Sequence, residues 1–293
     1  MEKNNSVFSR LFTKNILEQL LEDKNRDVFK YAILSSNLLE DKEDKKERNV
    51  VLLKKIYEYM SKNYRNEYFY QNIIFNNILI GRHSLNTTVA LTQIPVAKSK
   101  VDLILINGKA TVYEIKTELD SFERLENQIK DYYKGFNYVY VVTCEKYYKR
   151  LSKILLNTSI GMYVGIYILT DTKRLSSRKK AIENNTMLDY EVIFKYLRKN
   201  EFESILLKYY KKLPEAAPVF YYMECFNLLK KIPLLDFYNL AIKELKQREK
   251  IEKEKIKLIE DMPKEIRSWI YFYRPSIKDY TKLNNFLENN YGG

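Results

Sequence analysis

Over residues 1–39 the apolar positions Phe8, Leu11, Phe12, Ile16, Leu17, Leu20 and Leu21 recur at a spacing of about 3.6, which predicts amphipathic helix. The wholly charged run 40–48 reads as a solvated connector. A helix is expected from Val50 to Lys62 and another over 64–80, where β-branched residues weaken the helical preference. The pattern then turns to that of strands. TTVALTQIPVA (87–97) predicts a strand that stops near Pro95. VDLILIN (101–107) and ATVYEIKTE (110–118) predict two more, joined by a turn around Asn107-Gly108-Lys109. Asp120 or Ser121 can cap a helix running to about Lys134. The nearly continuous apolar run 136–143 fits a buried central strand. A helix (145–157) and a last strand (162–170) close the unit.

One meander combined with crossover helices predicts an α/β fold: a mixed central sheet covered by helices. The expected organisation is an N-terminal helical region (1–63), this α/β core (64–170), a basic linker (171–187) and a C-terminal helical domain (188–293). The last is expected to hold helices at 189–200, 201–212, 217–231, 234–260 and 263–273, punctuated by Pro214, Pro218, Pro233 and Pro263.

Composition narrows the chemistry. The single histidine, His83, rules out a histidine-rich metal site, and in its loop a structural role is favoured. Cys144 and Cys225 stand far apart, without zinc spacing or a disulfide framework, and a reducing cytoplasm is the simplest compartment. Seven glycines leave no glycine-rich phosphate loop. No apolar run reaches the roughly eighteen residues of a membrane span, so no membrane partner is expected, and the N-terminus does not read as a secretion signal. Lys and Arg number 51 against 38 acidic residues, a net charge of +13 that favours a polyanionic partner. Part of that lysine excess belongs to a composition rich in Lys, Asn, Ile and Tyr.

The candidate chemistry lies in the predicted hairpin. Asp102 begins one apolar strand, and Glu114 and Lys116 share a face of the next. Burying three charges there costs several kcal/mol unless they are paired or hold a metal. Two carboxylates side by side repel, and a divalent cation relieves the repulsion. Parity sets a condition. A two-residue Asn107-Gly108 turn places Asp102 opposite Tyr113, with Glu114 on the other face. A three-residue Asn107-Gly108-Lys109 loop places it opposite Glu114, so an odd-length loop or a bulge is expected.

Asp102 followed by Glu114-Ile115-Lys116 resembles the D-x(n)-E-x-K motif of the PD-(D/E)XK nuclease superfamily, and the order of elements resembles its αβββαβ restriction-endonuclease-like core. Gln128 through Tyr132 is similar to the QxxxY motif of the RecB-like branch, and the run YEIKTELDSFERLENQIKDY resembles a group of small, mostly uncharacterised bacterial and phage proteins. The resemblance covers roughly residues 64–170. It implies Mg²⁺ or Mn²⁺ held by Asp102 and Glu114 with the carbonyl of Ile115, Lys116 as a catalytic residue, Gln128 orienting the site or a phosphate, and Tyr132 in support. A glutamate on the helix before the sheet often joins the set, and Glu67 is the candidate. Where the family motif often has Pro before its first Asp, this chain has Lys100-Val101. The reaction so implied is phosphodiester hydrolysis of DNA, linked to phage, mobile-element or defence biology.

Arg124 and the basic residues Lys173, Arg174, Arg178, Lys179 and Lys180 are candidates for backbone contacts with nucleic acid, although a helix-surface pair and a plain linker explain them as well. Two readings stand beside the nuclease. The domain could be an inactive nuclease-like module that binds nucleic acid or a protein, with the C-terminal helices offering a surface for a partner or for self-association. Asp102, Glu114 and Lys116 could also be a turn cap and a surface ion-pair ladder worth little energy.

Overall fold

A computed structural model describes residues 7–8, 10–21, 27–35 and 47–291, so most of the charged run 40–48 lies outside the described residues. The chain forms α1 (Lys14–Leu21), α2 (Asp27–Ser35), α3 (Asn49–Asn63) and α4 (Glu67–Ile74), which passes into a π-helical turn, Phe75–Ile80. Then come β1 (Val89–Leu91), β2 (Ile94–Val96), β3 (Ser99–Val101), β4 (Leu103–Asn107) and β5 (Lys109–Ile115). The alternation α5 (Leu125–Gly135), β6 (Tyr138–Cys144), α6 (Glu145–Leu156), β7 (Gly165–Leu169) follows, with β8 (Leu175–Lys179). The remaining helices are α7 (Tyr190–Tyr196), α8 (Lys199–Tyr210), α9 (Pro218–Leu229), α10 (Leu234–Arg248), α11 (Lys253–Asp261), α12 (Arg267–Tyr273) and α13 (Ile277–Glu288).

Six strands form a mixed sheet in the order β1-β4-β5-β6-β7-β8; β5, β6 and β7 run parallel, and the pairs β1/β4, β4/β5 and β7/β8 are antiparallel. Strand alternation divides the core in two. Leu103, Leu105, Tyr113, Ile115, Val142 and Tyr167 pack on one face with α1–α4 and α11–α13. Ile104, Ile106, Val112, Val139, Val141 and Ile168 pack on the other with α5–α10. The mixed α/β expectation therefore holds. The C-terminal helices, however, do not form a body of their own. They divide between the two faces because each face needs an apolar cover. Among the described residues no helix is long and apolar enough to cross a membrane.

Several expected elements are cut or moved. The strand expected over 87–97 is two strands in different sheets, since Gln93 takes a positive φ of 59° and β2 turns away to pair only with β3. The strand expected over 101–107 breaks at Asp102, between β3 and β4. The stretch 171–187 is no linker. β8 pairs along the open edge of β7, and a basic, serine-rich strand is a common way to protect such an edge. The helix expected over 234–260 ends at Arg248, where Arg274 Nη2 donates to the Glu249 carbonyl at 2.7 Å and the chain turns buried Ile251 inward. Helix α13 falls within the expected helical region but beyond its last expected span, 263–273. Its signal, Ser276 with Asp279 three residues on, is a reciprocal capping box.

Gly165 lies level with Tyr140 on β6, whose ring continues a line of tyrosines: Tyr113 and Tyr140 stack at 5.6 Å, and Tyr140 and Tyr167 meet tilted at 4.8 Å. A Cβ on Gly165 would sit 2.3 Å from Tyr140 Cε1 and 2.7 Å from the Ala181 nitrogen. Gly165→Val is expected to cost about 1–3 kcal/mol and lower the melting temperature by several degrees. An unchanged melting curve would contradict this packing.

Candidate functional site: an acidic cluster at the carboxyl end of the sheet

Asp102 stands where the chain leaves the small β2–β3 hairpin and enters the central sheet. The β4–β5 register runs from Leu103↔Tyr113 to Asn107↔Lys109, with Gly108 alone at the apex. Its φ of 72° is one that glycine adopts without steric cost. The loop is thus of the odd-length kind, and Asp102 falls level with Glu114. Asp102 makes its link to β5 through its side chain: the Ile115 amide donates to Asp102 Oδ2 at 2.8 Å.

Glu114 is 1% exposed. Lys116 Nζ lies 2.9 Å from its Oε1, and the Tyr132 hydroxyl donates to its Oε2 at 2.5 Å. Lys116 Nζ also donates to Gln128 Oε1 at 2.9 Å. Gln128 and Tyr132 lie one turn apart on α5, so one helical face supplies both contacts. Burial and the adjacent Glu114 charge raise the Tyr132 pKa far above its ordinary value, which keeps the hydroxyl a donor. The same helix holds the hairpin before Asp102. Asp131 accepts from Ser99 Oγ at 2.8 Å and from the Lys98 amide at 3.3 Å, and the Tyr132 hydroxyl reaches the Lys100 carbonyl at 3.0 Å. Lys116 lies just past β5, but its amide still donates to the Val142 carbonyl at 2.9 Å, and Thr143 Oγ1 donates to the Lys116 carbonyl at 2.7 Å.

The five residues of the expected constellation therefore converge, with Asp102 on the same side of the sheet as Glu114. Their electrostatics are unbalanced. Desolvation, then repulsion from Glu114 and Glu67, pushes the Asp102 carboxyl from its ordinary 3.8 up to about 8, against the opposing pull of the Ile115 amide and Lys116. Glu67, in the first turn of α4, belongs to the same group. Its pKa is raised by desolvation, then by Asp120 and Glu114, with Lys116 acting the other way. Glu67 as a residue is exposed, at the rim of the cluster, and the neighbouring carboxylates repel its charge.

Asp120 is the member that sequence reasoning misplaced. It does not cap a helix, since α5 starts only at Leu125. It closes a turn instead, accepting from the Thr117 amide at 2.8 Å and from Thr117 Oγ1 at 2.7 Å. The legible signal was the Thr117-x-x-Asp120 spacing of a local side-chain turn. Beyond it, the Tyr70 hydroxyl donates to Glu118 Oε2 at 3.0 Å, and Arg65 lies 4.0 Å from Glu118 and 3.4 Å from Asp171.

The basic candidates do not gather at the cluster as a group. Arg124 is exposed just before α5, and its carbonyl accepts from the Gln128 amide. Lys173 and Arg174 lie in the β7–β8 turn, at the same end of the sheet as the cluster but two strands from β5. Arg178 and Lys179 lie toward the other end of β8, where Arg178 pairs with Glu145 at 2.6 Å and Lys179 Nζ donates to the Gly161 carbonyl at 2.7 Å; Lys180 follows them. His83 hydrogen-bonds Asn107 at 2.7 Å, at the far end of β4 from Asp102, consistent with its expected structural role.

Fold and site together define a mixed α/β protein with a cluster of carboxylates, one of them the buried Glu114 paired with Lys116, at the carboxyl end of parallel strands, a common location for sites in such sheets. The family model described as Bacteriophage P4 protein cII matches residues 60–267, a stretch that spans the whole sheet and the cluster, and the chain belongs to that family. The curated relative Protein cII of Enterobacteria phage P4 is 28% identical over 136 residues, which are 45% of this chain and 49% of that protein, so the chain spans about half the length of this relative. A solved structure, the SPO1766 protein of unknown function from Silicibacter pomeroyi, aligns at 14% identity with a TM-score of 0.28, over 45% of this chain and 86% of that one.

The Asp102 pKa has a consequence for stability. A carboxyl whose pKa is raised on folding contributes stability that is full below about pH 4 and is lost as pH rises through about 8. In metal-free buffer, the melting temperature of Asp102→Asn relative to the parent is expected to climb between about pH 4 and pH 8 and to level off above that. A difference that stays constant across that range would show that Asp102 ionises normally.

Proposed function

We propose that this protein is a metal-dependent nuclease of the PD-(D/E)XK type that hydrolyses phosphodiester bonds of DNA. The observation that carries the reading is the convergence of Asp102, Glu114, Lys116, Gln128 and Tyr132, in the order and on the elements that the motif requires. The restriction-endonuclease-like core is part of this proposal. Its support is the succession α4, hairpin, β5, α5, β6, with β5 and β6 parallel.

The donors present suit Mg²⁺ or Mn²⁺. Asp102, Glu114 and the Ile115 carbonyl offer hard oxygens. The raised pKa of Asp102 reports negative charge crowded beyond what Lys116 neutralises, which is the condition a divalent cation relieves. Glu67 stands close enough to feel the same field. When bound, such an ion supplies Lewis acidity toward a phosphoryl oxygen and activates water. Lys116, already desolvated, can donate to a developing anionic oxygen. Gln128 positions Lys116 through Nζ, and Tyr132 fixes the carboxylate of Glu114. The net charge of +13 favours a phosphate backbone as partner.

A second reading has its own observation. Both oxygens of Glu114 are already engaged, by Lys116 and Tyr132, and among the described residues no three Asp, Glu, His or Cys side chains are grouped to hold an ion. A closed network of this kind fits an inactive nuclease-like module that binds nucleic acid or a protein. Titration calorimetry with Mn²⁺ separates the two readings: the nuclease gives heat that disappears in Glu114→Gln, and the inactive module gives none.

Incubated with linear and circular DNA, the protein is expected to cut only when Mn²⁺ or Mg²⁺ is present. Lys116→Ala is expected to lose about 100-fold or more of that activity while keeping its fold. Cleavage that survives unchanged in Asp102→Ala would refute the assignment.

A further inference from the structure

Helix α6, EKYYKRLSKILL, buries Leu151 and Leu155 and turns a basic face outward. Lys146, Lys149, Arg150 and Lys153 fall at the i, i+3, i+4, i+7 spacing of one helical stripe, and all four are exposed. The one acidic residue of the helix, Glu145, is taken up by Arg178 at 2.6 Å. Among the described residues no carboxylate pairs with any of the four cations. The solvent face of α11, by contrast, mixes Lys253, Glu254, Lys257 and Glu260. Like charges three and four residues apart repel, and Lys146 in the first turn also opposes the helix dipole. The buried apolar face holds the cations together against that repulsion. The stripe starts at the carboxylate cluster. Thr143 Oγ1 donates to the Lys116 carbonyl at 2.7 Å, and α6 begins two residues later. The Tyr147 hydroxyl donates to the Glu118 carbonyl at 3.2 Å, in the turn that Asp120 closes, and the Arg150 guanidinium lies 5.3 Å from the centre of the Phe122 ring.

We propose that the outer face of α6 is a track for the sugar-phosphate backbone of DNA, leading away from the cluster. Its choice of ligand rests on reading the cluster as a phosphodiester site. From Lys146 to Lys153, at a rise of about 1.5 Å per residue, the stripe is roughly 10 Å long. One strand of a duplex carries a phosphate about every 3.4 Å along its axis, so the stripe spans about three of them. Those phosphates relieve the repulsion that the bare helix bears. An acidic protein surface would do the same, but it has no reason to lie beside a site for phosphodiester chemistry.

Fluorescence anisotropy of a labelled duplex of about 30 base pairs, titrated with the full chain in EDTA from about 0.1 M salt upward, measures binding without cleavage. Lys146→Gln, Lys149→Gln, Arg150→Gln and Lys153→Gln together are expected to weaken binding about tenfold or more and to reduce the slope of log K against log salt by about 2–3. The melting temperature is expected to be no lower than the parent's. As a control for net charge, Lys243→Gln, Lys253→Gln, Lys257→Gln and Lys278→Gln, on α10, α11 and α13, are expected to change the slope by less than about 1. Equal losses in the two variants, or an unchanged slope in the α6 variant, overturn the proposal. So does poly-glutamate that binds the parent as tightly as DNA. Stripe-dependent binding by a protein that never cuts DNA with Mn²⁺ would sink the nuclease reading and keep the track. Undiminished affinity in an α6 variant that still cuts would sink the track alone.

Discussion

The hydrogen bond from the Ile115 amide to the Asp102 carboxylate constrains everything around it. It forms at the one residue between β3 and β4, where the chain passes from the small hairpin to the central sheet. There the side chain of Asp102 takes the place of a backbone acceptor. Had the hairpin closed on an even loop, Asp102 would have faced Tyr113 and the other side of the sheet. Gly108 permits the one-residue apex that avoids this. Helix α5 then secures the arrangement from above: Asp131 and Tyr132 hold the β2–β3 hairpin, while Gln128 and Tyr132 hold Lys116 and Glu114.

The network balances opposing costs. A buried Glu114 would be strongly unfavourable alone; Lys116 and Tyr132 offset its desolvation. The neighbouring carboxylates of Asp102 and Glu67 have no such full compensation, and their raised pKa values express that shortfall. A charge deficit is thus built into a framework whose core on both sheet faces is otherwise apolar, and the proposed cation would answer it. The relation to Bacteriophage P4 protein cII places the chain in a phage-associated family without specifying its chemistry.

Much of this was legible in the residues. The runs VDLILIN and ATVYEIKTE mark the central strands, and the parity of a hairpin fixes which loop brings Asp102 level with Glu114. Other features depend on contacts that no local pattern carries. Residues 175–179 read as a linker because Ser, Arg and Lys favour solvent, yet the unpaired edge of β7 recruits them. Residues 87–97 read as one strand because nothing local marks the left-handed bend at Gln93. The C-terminal helices read as a domain of their own because periodicity reveals an apolar face without revealing what it covers. Asp120 read as a helix cap because its true partner, Thr117, lies just upstream of it.

The claim that this cluster is a cation site is tested most directly by diffraction from crystals soaked in Mn²⁺, recorded where manganese scatters anomalously. The account predicts one strong anomalous peak at roughly 2.0–2.3 Å from carboxylate oxygens of both Asp102 and Glu114. A fully soaked crystal with no peak there, or with its peak elsewhere and the Lys116–Glu114–Tyr132 network undisturbed, would contradict it.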